Sequence, residues 1–144
     1  MKNRKVKDLM TDKPCIIKPD STLQEAARMM ANADCGFLPV CRKDDIIGII
    51  TDRDIVIRAI SLGLDPSKEK VINHMTHECF GCRENDYLED AAEKMREHKV
   101  SRLIVRDATG QISGVLSFGG ILRKNADAKE VANLVKHAIQ REVA

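Results

Sequence analysis

Two stretches of the chain carry residue types whose spacing could do chemistry. In Gly48-Ile-Ile-Thr51-Asp-Arg-Asp54, a hydroxyl and a carboxylate lie three residues apart, where an apolar strand pattern gives way to a helical one. Free backbone N–H groups at such a junction, with the positive end of the helix dipole, suit a phosphate. The same Thr-x-x-Asp spacing is also a capping pattern, in which the hydroxyl accepts from a helix amide and the acid favours the first turn. The two roles can coexist. The second stretch, His74-x-x-His77-x-Cys79-x-x-Cys82, packs four soft or borderline ligands into nine residues, a set that zinc could use. Packing competes with zinc here. Cys82 falls in a predicted strand, where a small apolar side chain packs well, and positions three apart on a strand face opposite sides. There is no Gly-x-Ser-x-Gly elbow, Walker loop or His-Glu-x-x-His, and Asp44, Asp45, Asp52 and Asp54 sit where turns and helix starts favour acids. The chain reads as non-catalytic.

The bulk properties narrow the partners. With 24 Lys and Arg against 22 Asp and Glu, the formal charge of +2 gives no global field for a polyanion. Aromatics are 3% (Phe37, Phe80, Tyr87, Phe118), too few for a base-stacking platform, so nucleic acid is not expected. The longest apolar runs, such as Ile46 to Ile50, are far too short to span a bilayer. The basic start from Met1 to Lys7 has no apolar segment behind it, which predicts no secretory leader and a cytoplasmic location. Five Cys, an odd number, are then expected to be free thiols.

The elements that must position these residues come in two copies. Val6-Lys-Asp-Leu-Met10-Thr11 reappears as Val71-Ile-Asn-His-Met75-Thr76, and Leu23-Gln-Glu-Ala26-Ala27-Arg-Met-Met30 as Leu88-Glu-Asp-Ala91-Ala92-Glu-Lys-Met95, both at an offset of 65. Gly48-Ile-Ile-Thr51 matches Gly114-Val-Leu-Ser117 at 66, so one residue is inserted in the polar turn between two strands. Each copy reads as strand, helix, strand, strand, helix. The first helix is expected to start at Ser21 or Asp86, with Gln24 or Glu89 completing a capping box. Its apolar residues Leu23, Ala26, Ala27 and Met30 form one stripe. The second helix opens near Asp52 and stops at Gly63. The organisation is then repeat 1 over 1–62, a linker over 63–70, repeat 2 over 71–124 and a C-terminal helix over 125–144. That last helix, capped by Asp127-Ala-Lys-Glu130, carries a stripe of Val131, Leu134, Val135, Ala138 and Ile139 that needs a partner surface.

The paired Met-Thr elements, the Leu-x-x-Ala-Ala helices, the Phe37-Leu-Pro-Val40 and Arg102-Leu-Ile-Val105 strands and Gly48 to Ile55 together resemble a stand-alone tandem cystathionine-beta-synthase (CBS) domain pair, or Bateman module, of bacterial or archaeal type. The resemblance covers residues 6 to 124. It implies an α/β fold in which each repeat packs a three-stranded sheet on two helices, the repeats being related by a pseudo-twofold axis. It also implies clefts between the repeats that bind AMP, ATP or S-adenosylmethionine, no obligatory cofactor, and a disc-like homodimer that signals to a separate effector protein by changed repeat or dimer orientation. In the family the Thr of this motif contacts phosphate and the Asp the ribose hydroxyls, which carries over to Thr51 and Asp54, with Gly48 in the same motif. The second copy has Ser117, but Gly120 replaces the acid; Arg102 stands where some members place a phosphate-contacting Arg. One nucleoside site at Thr51 and Asp54 and a weaker anion site at Ser117 and Arg102 are therefore expected. The family sheet also makes the strands of Cys15 and Cys41 neighbours, a conceivable redox pair. The alternative is a ligand-free interaction or stress-response module, under metal or redox control through its His and Cys residues.

Overall fold

The computed structural model describes residues 3–124 and 127–139. The chain divides into two units, one formed by Pro14–Cys79 and the other by Met1–Lys13 with Phe80–Ala144.

In the unit of residues 14–79, α2 (Leu23–Ala33) precedes a hairpin of β2 (Phe37–Arg42) and β3 (Asp45–Thr51), which runs directly into α3 (Asp52–Arg58). The hairpin is antiparallel, from Phe37 opposite Thr51 to Arg42 opposite Asp45. Its two outer neighbours are single bridges: Ile17 lies parallel to Val40, and Thr76 antiparallel to Ile49. Leu23, Ala26 and Met30 of α2 close on Leu38, Val40, Ile50 and Ile55 to make the core. The helix is capped one residue later than the sequence pattern suggests. Thr22 accepts from the Glu25 amide at 3.1 Å and Glu25 returns to the Thr22 amide at 3.3 Å, while Ser21 is used by its backbone, its carbonyl accepting from Val71.

The other unit repeats this plan with fuller strands. It comprises α1 (Val6–Leu9), β1 (Thr11–Asp12), β4 (Gly81–Arg83), α4 (Leu88–His98), β5 (Arg102–Arg106), β6 (Ile112–Ser117), α5 (Phe118–Arg123) and α6 (Ala128–Ile139). The sheet order is β1-β6-β5-β4, four strands where three were expected. Asp86 does not cap α4; the cap position is Tyr87, and the Asp86 carboxylate instead accepts from the Arg83 amide. Asp127 does cap α6, accepting from the Glu130 amide at 3.0 Å. Val131, Leu134 and Ala138 of that helix are buried in the core of this unit, so the C-terminal stripe finds its partner surface within the chain, on α4 and α5.

The repeats of the sequence and the units of the structure do not coincide. Each copy's leading segment joins the sheet of the other copy. Thr11 pairs with Val115, and Thr76 exchanges backbone hydrogen bonds with Ile49 at 2.8 and 2.9 Å. Gly48 and Gly114 make these crossings possible. A Cβ on Gly48 would lie 2.7 Å from the Thr76 carbonyl oxygen, and one on Gly114 would lie 2.7 Å from that of Thr11. The exchange extends to the helix starts, where Glu69 accepts from the Leu23 amide and Arg4 from the Leu88 amide. The segment 63–70 between the repeats lies within the unit of residues 14–79.

Candidate functional site

Thr51 ends β3 and is the N-cap of α3, with an extended backbone that turns its hydroxyl onto the first turn. Its Oγ1 accepts from the Asp54 amide at 3.1 Å, and the Thr51 amide donates to Asp54 Oδ2 at 3.0 Å. The reciprocal capping box expected of Thr-x-x-Asp is thus formed. Two further groups converge on the same carboxylate. Thr76 Oγ1 donates to it at 3.3 to 3.4 Å, and Arg58 Nε, one helical turn on, stands 3.7 Å from Oδ1. Arg58 also donates from its terminal nitrogen to the Met75 and His74 carbonyls at 2.9 and 3.2 Å. Asp54 is left 9% exposed, a nearly closed acid held among a backbone amide, a hydroxyl and a guanidinium.

The sequence points to Thr51 and Asp54 but not to Arg58 or Thr76. Arg58 had a local signal, since a cation four residues after an acid on a helix can reach it. Thr76 had none, because its place beside Asp54 depends on a strand pairing 27 residues away from Ile49. Gly48 lies against Thr76 and Met75, and its lack of a side chain is accounted for by that packing.

The equivalent place in the other unit is simpler. Ser117 caps α5, its Oγ accepting from the Gly120 amide at 3.0 Å. A Cβ on Gly120 would sit 3.1 Å from both the Ser117 and Thr11 hydroxyls, so the hydroxyls converge here too but on no acid. Arg102 is the direct cross-strand neighbour of Ser117, which brings together the two residues of the expected anion site.

The His and Cys stretch is not gathered into a cage. His74 is buried and its Nε2 lies 2.9 Å from Glu69 Oε1, whereas His77 is exposed. Cys82 is buried in the core of the other unit, where burial and then the charge of Asp86 push its thiol up to about 12. Among the described residues no three His, Cys, Asp or Glu are grouped to hold a metal ion. Cys15 and Cys41 are not joined in a disulfide, Cys15 being exposed and Cys41 buried. With Ile17 opposite Val40 in a parallel bridge, Cys41 falls beside Lys18, three positions along from Cys15. A rise of about 3.3 Å per residue makes that offset too long for a disulfide without chain movement. His98 stacks on Phe80, with ring centroids 3.9 Å apart.

The family model named CBS domain matches the chain twice, over residues 6–60 and 69–127. The chain belongs to the CBS domain family. It is 34% identical over 116 residues to the CBS domain-containing protein YhcV of Bacillus subtilis, covering 81% of each chain. Among solved structures it is similar to Hypoxic Response Protein I with two coordinated zinc ions, at 29% identity and a TM-score of 0.71, covering 83% of this chain and 98% of that one. It is also similar to CBSX2 in complex with AMP, at 28% identity and a TM-score of 0.66, covering 83% and 93%. The fold is that of a CBS domain pair, with the C-terminal helix added. No helix among the described residues is long and apolar enough to cross a membrane.

Proposed function

We propose that this CBS pair is a non-catalytic sensor that binds an adenosine-containing ligand, AMP, ATP or S-adenosylmethionine, at Thr51 and Asp54. The observation that carries this reading is the convergence of the Thr51 amide, the Thr76 hydroxyl and the Arg58 guanidinium on the Asp54 carboxylate, with the Thr51 hydroxyl at the head of the same helix. A carboxylate accepts from both hydroxyls of a cis-diol, and hydroxyls with a guanidinium serve a phosphate. The AMP held by CBSX2, a structure of the same fold at 28% identity, supports the ligand class. Ser117 and Arg102 form the weaker anion site, lacking the acid. The module acts as a homodimer, and a separate effector reads the population shift that differential ligand affinity produces.

Calorimetric titration with each of the three ligands, on wild type and on Asp54→Asn, tests the reading. Saturable binding of at least one ligand is expected, weakened about tenfold or more by the substitution, since a hydrogen bond to a charged group contributes ~1.5–3 kcal/mol. Equal affinity in both proteins removes Asp54 from the site.

Metal control is a second reading, favoured by the two zinc ions of Hypoxic Response Protein I. It would use His74, His77, Cys79 and Cys82. The Glu69 contact of His74 and the raised thiol of Cys82 weigh against it, because a thiolate is the ligand form. Stoichiometric zinc in protein purified without an affinity tag would establish it.

A further inference from the structure

The cations of the unit of residues 14–79 are unevenly used. Arg58 is committed to Asp54 and to two backbone carbonyls. Lys18, Arg42, Lys43 and Lys70 are exposed, and among the described residues none of the four makes an ion pair or a side-chain hydrogen bond. All four line one groove with a volume of about 630 Å³, and Ile16 and Ile72 give it an apolar lining. Asp20 is the acid in that lining, and Asp45 stands across the hairpin from Arg42 without pairing to it. The groove lies at the end of β2 away from the Thr51 and Asp54 site. Phe37 faces Thr51 and Arg42 faces Asp45, so about 17 Å of strand separates the two places. One of the cations also sits on a strained turn. Lys43 has a φ of 58°, in the left-handed region that hairpin turns usually give to Gly, Asn or Asp. The turn of repeat 2 uses Gly110 for this, at φ 86°, and has Asp107 and Ala108 at the positions matching Arg42 and Lys43. The basic rim belongs to repeat 1.

Unneutralised cations around an apolar lining suit an anion that carries an organic body. The volume matches a metabolite-sized molecule, since small-molecule sites run to about 300–1,000 Å³. The cations come from three segments: Lys18 from before α2, Arg42 and Lys43 from the hairpin, and Lys70 from after α3. A single charge cannot engage all of them, whereas clustered charges can. Lysine serves phosphate as a point charge and arginine as a two-pronged donor. We propose that this groove binds a small organic diphosphate or triphosphate, with its charged end among Lys18, Arg42, Lys43 and Lys70 and its body on Ile16 and Ile72. Neither ribose hydroxyls nor the Asp54 carboxylate take part, so the site is independent of the nucleoside reading above.

Calorimetric titration with hexyl diphosphate and with inorganic pyrophosphate tests this, with circular dichroism to verify folding. Wild type is expected to bind one hexyl diphosphate per chain, less tightly as salt rises. It should bind pyrophosphate several times more weakly, because only the alkyl chain covers the two isoleucines. The double variant Arg42→Gln, Lys43→Asn removes two exposed cations and keeps a residue that tolerates the left-handed turn. Its affinity for hexyl diphosphate is expected to fall about tenfold, a few-fold for each exposed ion pair. Lys129→Gln with Lys136→Gln removes the same charge from the surface of α6 and is expected to leave the affinity unchanged, as is Asp54→Asn. Absence of saturable hexyl diphosphate binding overturns the proposal and leaves the groove to an acidic segment of a partner protein. An equal loss in the α6 variant reduces the binding to general charge attraction, and a loss in Asp54→Asn puts the probe at the nucleoside site; either overturns the proposal. Pyrophosphate binding as tightly as hexyl diphosphate overturns it too. Nucleotide affinity is read in a separate titration, so a failure there leaves this result standing.

Discussion

Replacing Asp54 by Ala should destabilise the unit of residues 14–79 substantially, whatever the ligand. The side chain satisfies the Thr51 amide and receives the Thr76 hydroxyl in a site that is almost closed to water. Loss of the reciprocal cap costs ~1 kcal/mol. Losing an acid from the first turn costs ~0.5 kcal/mol. Leaving the Thr51 and Thr76 donors poorly satisfied adds ~1 kcal/mol. The ion pair adds little, because the Arg58 side chain is 47% exposed and solvent screens it. The total of about 2.5 kcal/mol, at an m-value of about 2 kcal/mol per molar urea, lowers the unfolding midpoint by about 1.2 M. Asp54→Asn keeps an acceptor at the same place and should lose only about 1 kcal/mol. Equilibrium urea unfolding followed by far-ultraviolet circular dichroism measures both. An Ala variant within about 0.5 kcal/mol of wild type, the ordinary range for surface substitutions, or one no less stable than the Asn variant, would refute the reasoning. Asp54→Asn, which spares most of this stability, is therefore the variant for the ligand titration.

Lys99 ends α4 in the left-handed region at φ 57°, so Lys99→Gly should raise stability by ~0.5–1 kcal/mol, read as a higher urea midpoint. Thiol labelling with an aromatic disulfide at pH 8 should modify exposed Cys15 rapidly and reach Cys82 only on unfolding, because burial holds that thiol near 12; immediate reaction of Cys82 would contradict its placement. Hydrogen bonds from Arg96 and then His137 lower Glu93 to about 2. Its folded value is depressed, so its contribution is present above the ordinary carboxylate value and is lost as pH falls from about 4.5 towards 2. Glu93→Gln should flatten the stability profile in that window, and an unchanged profile would remove the His137 link between α6 and α4. Residues 1–62 expressed alone should fail to give a cooperative unfolding transition, whereas residues 14–79 should give one.

Much of this was legible in the chain. Duplicated positions such as Leu23 and Leu88 or Met30 and Met95 carry the core of both units, because one-faced apolar spacing depends only on local geometry. The Thr51 and Asp54 cap was readable for the same reason. The exchange of leading segments was not, since Val6 to Thr11 and Val71 to Thr76 look alike and nothing local says which sheet each will enter. Helix starts were misplaced where two candidate caps adjoin, as with Ser21 and Thr22, and only the direction of the backbone chooses between them. The spacing of Cys79 and Cys82 already set them on opposite sides of an extended strand, and the chain passes from one unit to the other between Cys79 and Phe80.

That interchange has an energetic consequence for the origin of the chain. A lone ancestral repeat would carry a leading strand with no sheet of its own to enter and a sheet with one bare edge. It could complete itself only by trading the strand with a second molecule, so its folding would depend on protein concentration. Joining two repeats end to end makes the trade intramolecular, at the millimolar effective concentration of a short tether, and abolishes that dependence. Once fused, the copies are free to diverge in their chemistry, one keeping its acid and the other acquiring a covering helix, while Gly48 and Gly114 stay bound to the same task.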